Sequence, residues 1–316
     1  MNEIRKTNRF FMILMLAFII VSLAWGILPL SGLPIKMEWI EKFSMLLPEL
    51  LMLVIMLLYM GKNKLNFLNC TRFRLLSPLI IFLLFIMGIV ILPMVSFINA
   101  ISMMFTTNLV QNEMLELGRM GFLFSLFAMA VVPAFVEESV YRGVIGTVYM
   151  SKSWKKGVLL SAFLFGIMHM NFNQFSYAFV IGLLFAVVVE ATDSILSGMI
   201  LHFMINGNSV VMAFLVSKIE SLFDMGQAGM ETTEYTQMTW AVVGAYFIPA
   251  IISFLFFCLL VFLITKINGR DQILKEKLQG SGTGTKEETR LWSWHLTVAT
   301  ILCLVVAVLT EIGSRI

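Results

Sequence analysis

Charge is scarce in this chain. Only 13% of its 316 residues are Asp, Glu, Lys or Arg, against 59% hydrophobic, whereas soluble domains carry about 25% charged residues. That shortage excludes an ordinary globular core. Histidine is rarer still, with His169, His202 and His295 as the whole supply. Cysteine is equally thin. Cys70, Cys258 and Cys303 are odd in number and far apart, which excludes a disulfide scaffold and a Cys-based metal site. The net charge of +3 carries no nucleic-acid signature, because the Lys and Arg residues sit in loops between apolar runs. No internal repeat and no folded extramembrane domain is visible.

What is present is apolar length. The runs 10–35, 75–112, 157–189, 194–217 and 235–265 hold no charge at all, and about 20 residues of helix suffice to cross a bilayer. Backbone groups in lipid must bond within their own segment, so the expected fold is all-α, a polytopic transmembrane helical bundle of eight or nine spans. The spans read as 10–31, 44–60, 76–104, 121–150, 157–171, 174–190, 194–217, 240–266 and 291–312. The first is too long for a signal-peptide core and lacks a small-residue cleavage site, so it stays as a span. Three parts follow: N-terminal spans over 1–119, a central core over 120–217, and C-terminal spans over 218–316 with a flexible cytoplasmic linker near 269–290, where GSGTGT occurs.

Basic residues alternate between loops. Arg5, Lys6, Arg9, then Lys62, Lys64, Arg72 and Arg74, then Lys152, Lys155 and Lys156, and finally 266–290 form one set. The loops 105–120 and 218–239 are richer in acid. The positive-inside rule therefore puts the N-terminus in the cytoplasm, and the expected location is the cytoplasmic membrane of a prokaryote.

Against this background VEESVYRG stands out at 136–143: Glu137, Glu138 and Arg142 are the charged residues of 121–150. His169 and His202 also lie inside apolar runs. Each ionisable group at membrane depth costs at least about 2.5 kcal/mol, so such groups face a cavity or one another. A structural ion pair and two interhelical histidines would explain any one of them alone. Their shared depth argues for a site: at about 1.5 Å per residue, Glu137, His169 and His202 lie about 20, 18 and 12 Å from the basic face. Glu138 and Arg142 are four apart and can neutralise each other on one helix face, leaving Glu137 free to point elsewhere. His202 and Asn206 are also four apart and can both donate hydrogen bonds. Phe165 stands one turn before His169. By contrast, Glu49 and His295 read as ordinary residues near span ends, and Asp193 as the cap of the helix that follows it.

These residues spell EExxxR (Glu137, Glu138, Arg142), FxxxH (Phe165, His169) and HxxxN (His202, Asn206), in that order over about 120–215. In this the sequence resembles the CPBP family of intramembrane proteases, which includes the CAAX prenyl endopeptidases. The resemblance implies an endopeptidase acting on a membrane-embedded peptide or protein. Glu137, helped by His169, would activate water; His202 and Asn206 would hold the oxyanion; Glu138 and Arg142 would be supporting, with Phe165 as a wall. A second view of the family makes its members metalloproteases, with Glu137, His169 and His202 around a divalent ion such as zinc, a workable ligand set. The chain has no HExxH, GxGD or GxSG motif for other intramembrane chemistries. The alternatives are a transporter with a buried Glu/His path and an inactive immunity or scaffold member of the same family. The partners expected are the lipid bilayer and the substrate, with no nucleic acid, and the site depth points to the cytoplasmic side. The sequence names neither the substrate nor an oligomeric state.

Overall fold

The computed structural model describes residues 2–27, 37–108, 120–222, 239–279 and 290–315. The acid-rich stretches 109–119 and 223–238 and the GSGTGT run lie outside them. The described residues are mainly helical, with no strand among them. In chain order the helices are α1 (Asn2–Ile27), α2 (Met37–Asn63), α3 (Phe67–Thr71), α4 (Pro78–Val90), α5 (Leu92–Met103), α6 (Phe122–Lys152), α7 (Trp154–Ile167), α8 (Phe172–Thr192), α9 (Ile195–Leu222), α10 (Trp240–Ile267), α11 (Asp271–Gln279) and α12 (Trp294–Gly313).

Local chemistry sets the ends. Ser77 caps α4 with Pro78 in its first turn, Asn171 accepts from the Gln174 amide at 2.9 Å to start α8, and Thr239 caps α10. Pro93 cannot donate a backbone hydrogen bond, so α4 and α5 form one kinked span rather than a straight one. At the kink, Ser253 of α10 donates to the Val90 carbonyl. A neighbouring helix thus adds a hydrogen bond beside the break in the ladder, where lipid offers none.

Among the described residues, eight helical segments are long and apolar enough to span a membrane. The ninth expected span is α7, and it is too short. Its 14 residues reach about 21 Å at 1.5 Å per residue, against about 30 Å of hydrocarbon. It stops because Met170 turns left-handed (φ 49°) and Asn171 immediately caps the next helix. Such an ending is tolerable inside protein, and most of α7 is buried against α6 and α8. Gly157 makes the fold-back from α6 feasible: a Cβ there would lie 2.5 Å from the Met150 nitrogen.

The two ends of the bundle are chemically distinct. At one end Lys152 pairs with Glu3 at 3.4 Å, Asn8 donates to the Leu291 carbonyl at 2.9 Å, and Thr147 donates to the Cys70 carbonyl at 2.9 Å. The same end holds an acidic knot in which Glu190 meets Arg72 (3.3 Å), Arg270 (2.6 Å) and Lys277 (2.8 Å). The basic loops collect here. At the opposite end the Thr107 amide donates to Glu311 at 3.2 Å, and Arg315 donates to the Phe105 carbonyl at 2.7 Å.

Two expectations concern the basic end. The stretch 269–290 begins with a helix, α11, docked through Leu274 and Lys277, while its GSGTGT run, read as the flexible linker, lies outside the described residues. Asp193 ends α8 in a left-handed conformation (φ 52°) and pairs with Arg72, Arg74 and Arg270. Capping of the following helix falls instead to Ser194, whose hydroxyl accepts from the Leu196 amide at 3.3 Å.

Two apolar cores fill the bundle. One joins α1, α2, α6, α7 and α12 around Phe11, Met56, Tyr141, Tyr149 and Leu296. The other joins α4, α5, α8, α9 and α10 around Leu84, Phe185, Leu201 and Ile264. The polar residues of α6 and α9 meet between them.

Candidate active site

The helix carrying Glu137 and Glu138 is not uniform. Within α6, the stretches Phe127–Val131 and Ser139–Ile145 are wound as π-helix, and they bracket the two carboxylates. Wide turns of this kind recur at functional sites. Pro133 explains part of the first: it has no N–H to give the Met129 carbonyl four residues earlier. Asn206 of α9 takes that carbonyl, donating from Nδ2 at 2.9 Å. One hydrogen of the Asn206 amide is therefore committed to backbone, and the second remains for other work.

Glu138 is fully buried and Arg142 is 2% exposed. They pair within the helix at 2.9 Å, as their spacing predicts. Glu138 does more than neutralise Arg142. Its Oε1 also accepts from His202 Nδ1 at 3.1 Å. A carboxylate only accepts, so Nδ1 carries the hydrogen and Nε2 is turned toward Glu137 Oε2, 3.8 Å away. A carboxylate that fixes an imidazole's tautomer in this way is a familiar supporting device. The contact requires close helix approach, because a Cβ on Gly198 would lie 2.6 Å from Glu138 Oε2.

His169 follows the end of α7. Its Nδ1 lies 2.9 Å from the Phe165 carbonyl and 3.3 Å from that of Gly166. Carbonyls only accept, so Nδ1 holds the hydrogen here too and Nε2 is the basic nitrogen. Phe165 is the hub of the aromatic contacts. Its ring meets His169 edge-on at 5.4 Å and His202 at 6.0 Å, while the Arg142 guanidinium stacks over it at 4.1 Å.

Glu137, His169, His202 and Asn206 all line one cavity of about 530 Å³. The sequence-predicted set is thus brought together. One member was missed. Glu49 of α2, read from sequence as an ordinary span-end residue, is 7% exposed and lines the same cavity. Its carboxyl is within hydrogen-bonding reach of that of Glu137. The available signal was position: Glu49 is the acidic residue of an otherwise uncharged stretch, 43–61. Its second oxygen, like Glu137 Oε2, is buried with no hydrogen-bond partner among the described residues.

Glu137, His169 and His202 are the residues that an ion would use. Among the described residues, however, no three His, Cys, Asp or Glu side chains gather closely enough to hold a metal. The arrangement is a cluster of two carboxyl groups, Glu49 and Glu137, and two imidazoles, His169 and His202, on one cavity.

An all-helical bundle with a buried carboxylate–imidazole cluster at mid-depth defines a class of intramembrane site. Residues 119–208 match the family described as type II CAAX prenyl endopeptidase Rce1-like, which supports a CAAX-protease-like reading of this segment. All three motifs fall inside the match. No curated protein and no solved structure matches the chain.

Proposed function

We propose that the chain hydrolyses a peptide bond of a membrane-associated peptide or protein, with Glu137 as the base that activates water. The convergence of Glu137, His169, His202 and Asn206 on one cavity supports this most directly. Water held between Glu137 and the substrate carbonyl gives its proton to the carboxylate as its oxygen attacks. His169 Nε2, fixed by its Nδ1 bonds, assists by accepting a hydrogen bond from that water. Proton transfer of this kind supplies about 10²–10⁴-fold in rate.

Negative charge then develops on the carbonyl oxygen. The second hydrogen of the Asn206 amide can donate to it, as can His202 when its Nε2 has first taken a proton from solvent in the cavity. Glu138 stabilises the imidazolium so formed from the other side. Donors fixed in advance in a water-poor cavity are worth about 2.7–4 kcal/mol each. The proton on Glu137 finally passes to the leaving amine, which restores the carboxylate. Glu138 is thus a positioning residue as well as a structural one, an extension of the role its pairing with Arg142 suggests.

The test compares the termini of membrane peptides from cells carrying wild type and Glu137→Gln. Peptides with new termini should be present only with wild type. Identical termini in the two would end the proteolytic reading.

A further inference from the structure

The cavity at Glu137 is one-sided. It adjoins two others, of about 380 and 570 Å³, that share Asn206 and Glu137 with it respectively. On α6, which runs toward the basic end, the lining residues reach Glu137 and stop. On α8, running the same way, they extend from Gln174 to Phe185 and stop. On α9, which runs away from the basic end, they begin at His202 and continue to Ser209. On α1 and α12, which also run away from it, only the later halves take part, from Phe18 and from Val306 onward. Every contributing helix lines these spaces from the level of the site toward the acidic-loop end.

Toward the basic end, among the described residues, these helices line none of the three cavities. Tyr141 and Tyr149 are fully buried. Ser161 donates to the Tyr141 carbonyl at 2.6 Å, and the Tyr149 hydroxyl donates to Asn8 at 2.6 Å. Beneath them lies the Glu190 knot. The basic loops, with most of the 22 Lys and Arg residues, mark that end as cytoplasmic by the positive-inside rule.

We infer that the site is served from the extracytoplasmic side, by a peptide segment presented at the outer face of the membrane. This rests on the proteolytic reading for the word substrate, but not for the geometry of access. It departs from the expectation that depth places the site nearer the cytoplasm, since Glu137 lies midway along α6, 15 residues from either end. The two adjoining chambers describe the segment. The one beyond Asn206 sets uncharged amides and hydroxyls (Ser96, Asn99, Gln174, Asn208, Ser209) among apolar residues, partners for the backbone of an extended, uncharged stretch. The other is lined by Phe18, Trp25, Leu47, Met170 and Val306 together with Glu49, Glu137, His169 and Asn171, and its apolar walls take apolar side chains. The scissile bond lies between them.

The test uses the full chain with Cys70, Cys258 and Cys303 replaced by alanine. Single cysteines are placed at Ser44→Cys and Asn208→Cys in the cavities and at Lys275→Cys on the basic end. A membrane-impermeant maleimide is applied to intact cells and to inverted vesicles. Both cavity cysteines should react at least about tenfold faster in intact cells, the contrast that one-sided access by a charged reagent gives, and Lys275→Cys only in inverted vesicles. Cavity labelling confined to inverted vesicles, equal from both sides or absent from both would overturn the inference, as would external labelling of Lys275→Cys. The same pattern in a Glu137→Gln background keeps the result independent of catalysis. Failure of the proteolytic reading would show separately, in unchanged peptide termini.

Discussion

Glu190 and Glu137 are both buried carboxylates, 2% and 6% exposed, yet they keep opposite company. Glu190 meets three cations, Arg72, Arg270 and Lys277, and fastens the loop before α4 and the helix α11 to the end of α8. Glu137 faces another acid, Glu49, and the imidazole of His202, while the cation of its level, Arg142, is committed to Glu138. A surplus of positive charge makes a carboxylate a rivet. A shortage leaves it with a buried oxygen that has no hydrogen-bond partner among the described residues, beside a cavity with room for a second molecule.

That contrast can be broken by exchanging the expected phenotypes. Glu137→Gln should lower the cleavage rate by about 10³-fold, within the range for a lost general base, without lowering the melting temperature; a destabilised but active variant would make Glu137 a rivet as well. Glu190→Gln should do the reverse. Stripping one partner from a buried charge cluster costs about 3–5 kcal/mol, so thermal unfolding in detergent should come earlier while the rate per folded molecule stays unchanged.

Glu138 lies between these poles, because it serves both Arg142 and His202. Glu138→Gln should lower the rate by about 10–100-fold, the usual effect of losing a partner that orients a histidine, and should also lower thermal stability. A variant altered in only one respect would assign Glu138 to one side of the comparison. The smallest effect is expected for Glu49→Gln. Removing an acid from beside Glu137 should change the rate by about tenfold or less, with equal or higher stability, since an unpaired buried acid is itself costly. A loss as large as that of Glu137→Gln would make the two acids a single functional unit.

The spans were legible because charge is absent over long stretches, and the motif residues because charge interrupts those stretches where it is expensive. The pairing of Glu138 with Arg142 follows from their spacing alone. Glu49 was not legible, since one acid beside Pro48 near a span end resembles any interfacial residue until α2 is packed on α6. The Asn206–Met129 bond required knowing which helix faces Pro133. Asp193 was misread because a left-handed residue at the end of α8 places its side chain among arginines, away from the amides of α9. The shortness of α7 was hidden by its composition, which stays apolar through Met168 although the backbone has already turned.

That short helix bears on the supply of one reactant. Each turnover of a hydrolase consumes a water molecule, and in hydrocarbon water is the reagent hardest to deliver. Ending α7 about 9 Å short of a full crossing leaves a depression walled by neighbouring helices above His169. Solvent can stand in this depression without touching lipid. On the proteolytic reading, the missing turns of α7 act as a well that brings water down to the carboxylate, with no need for a hydrated channel through the whole bilayer.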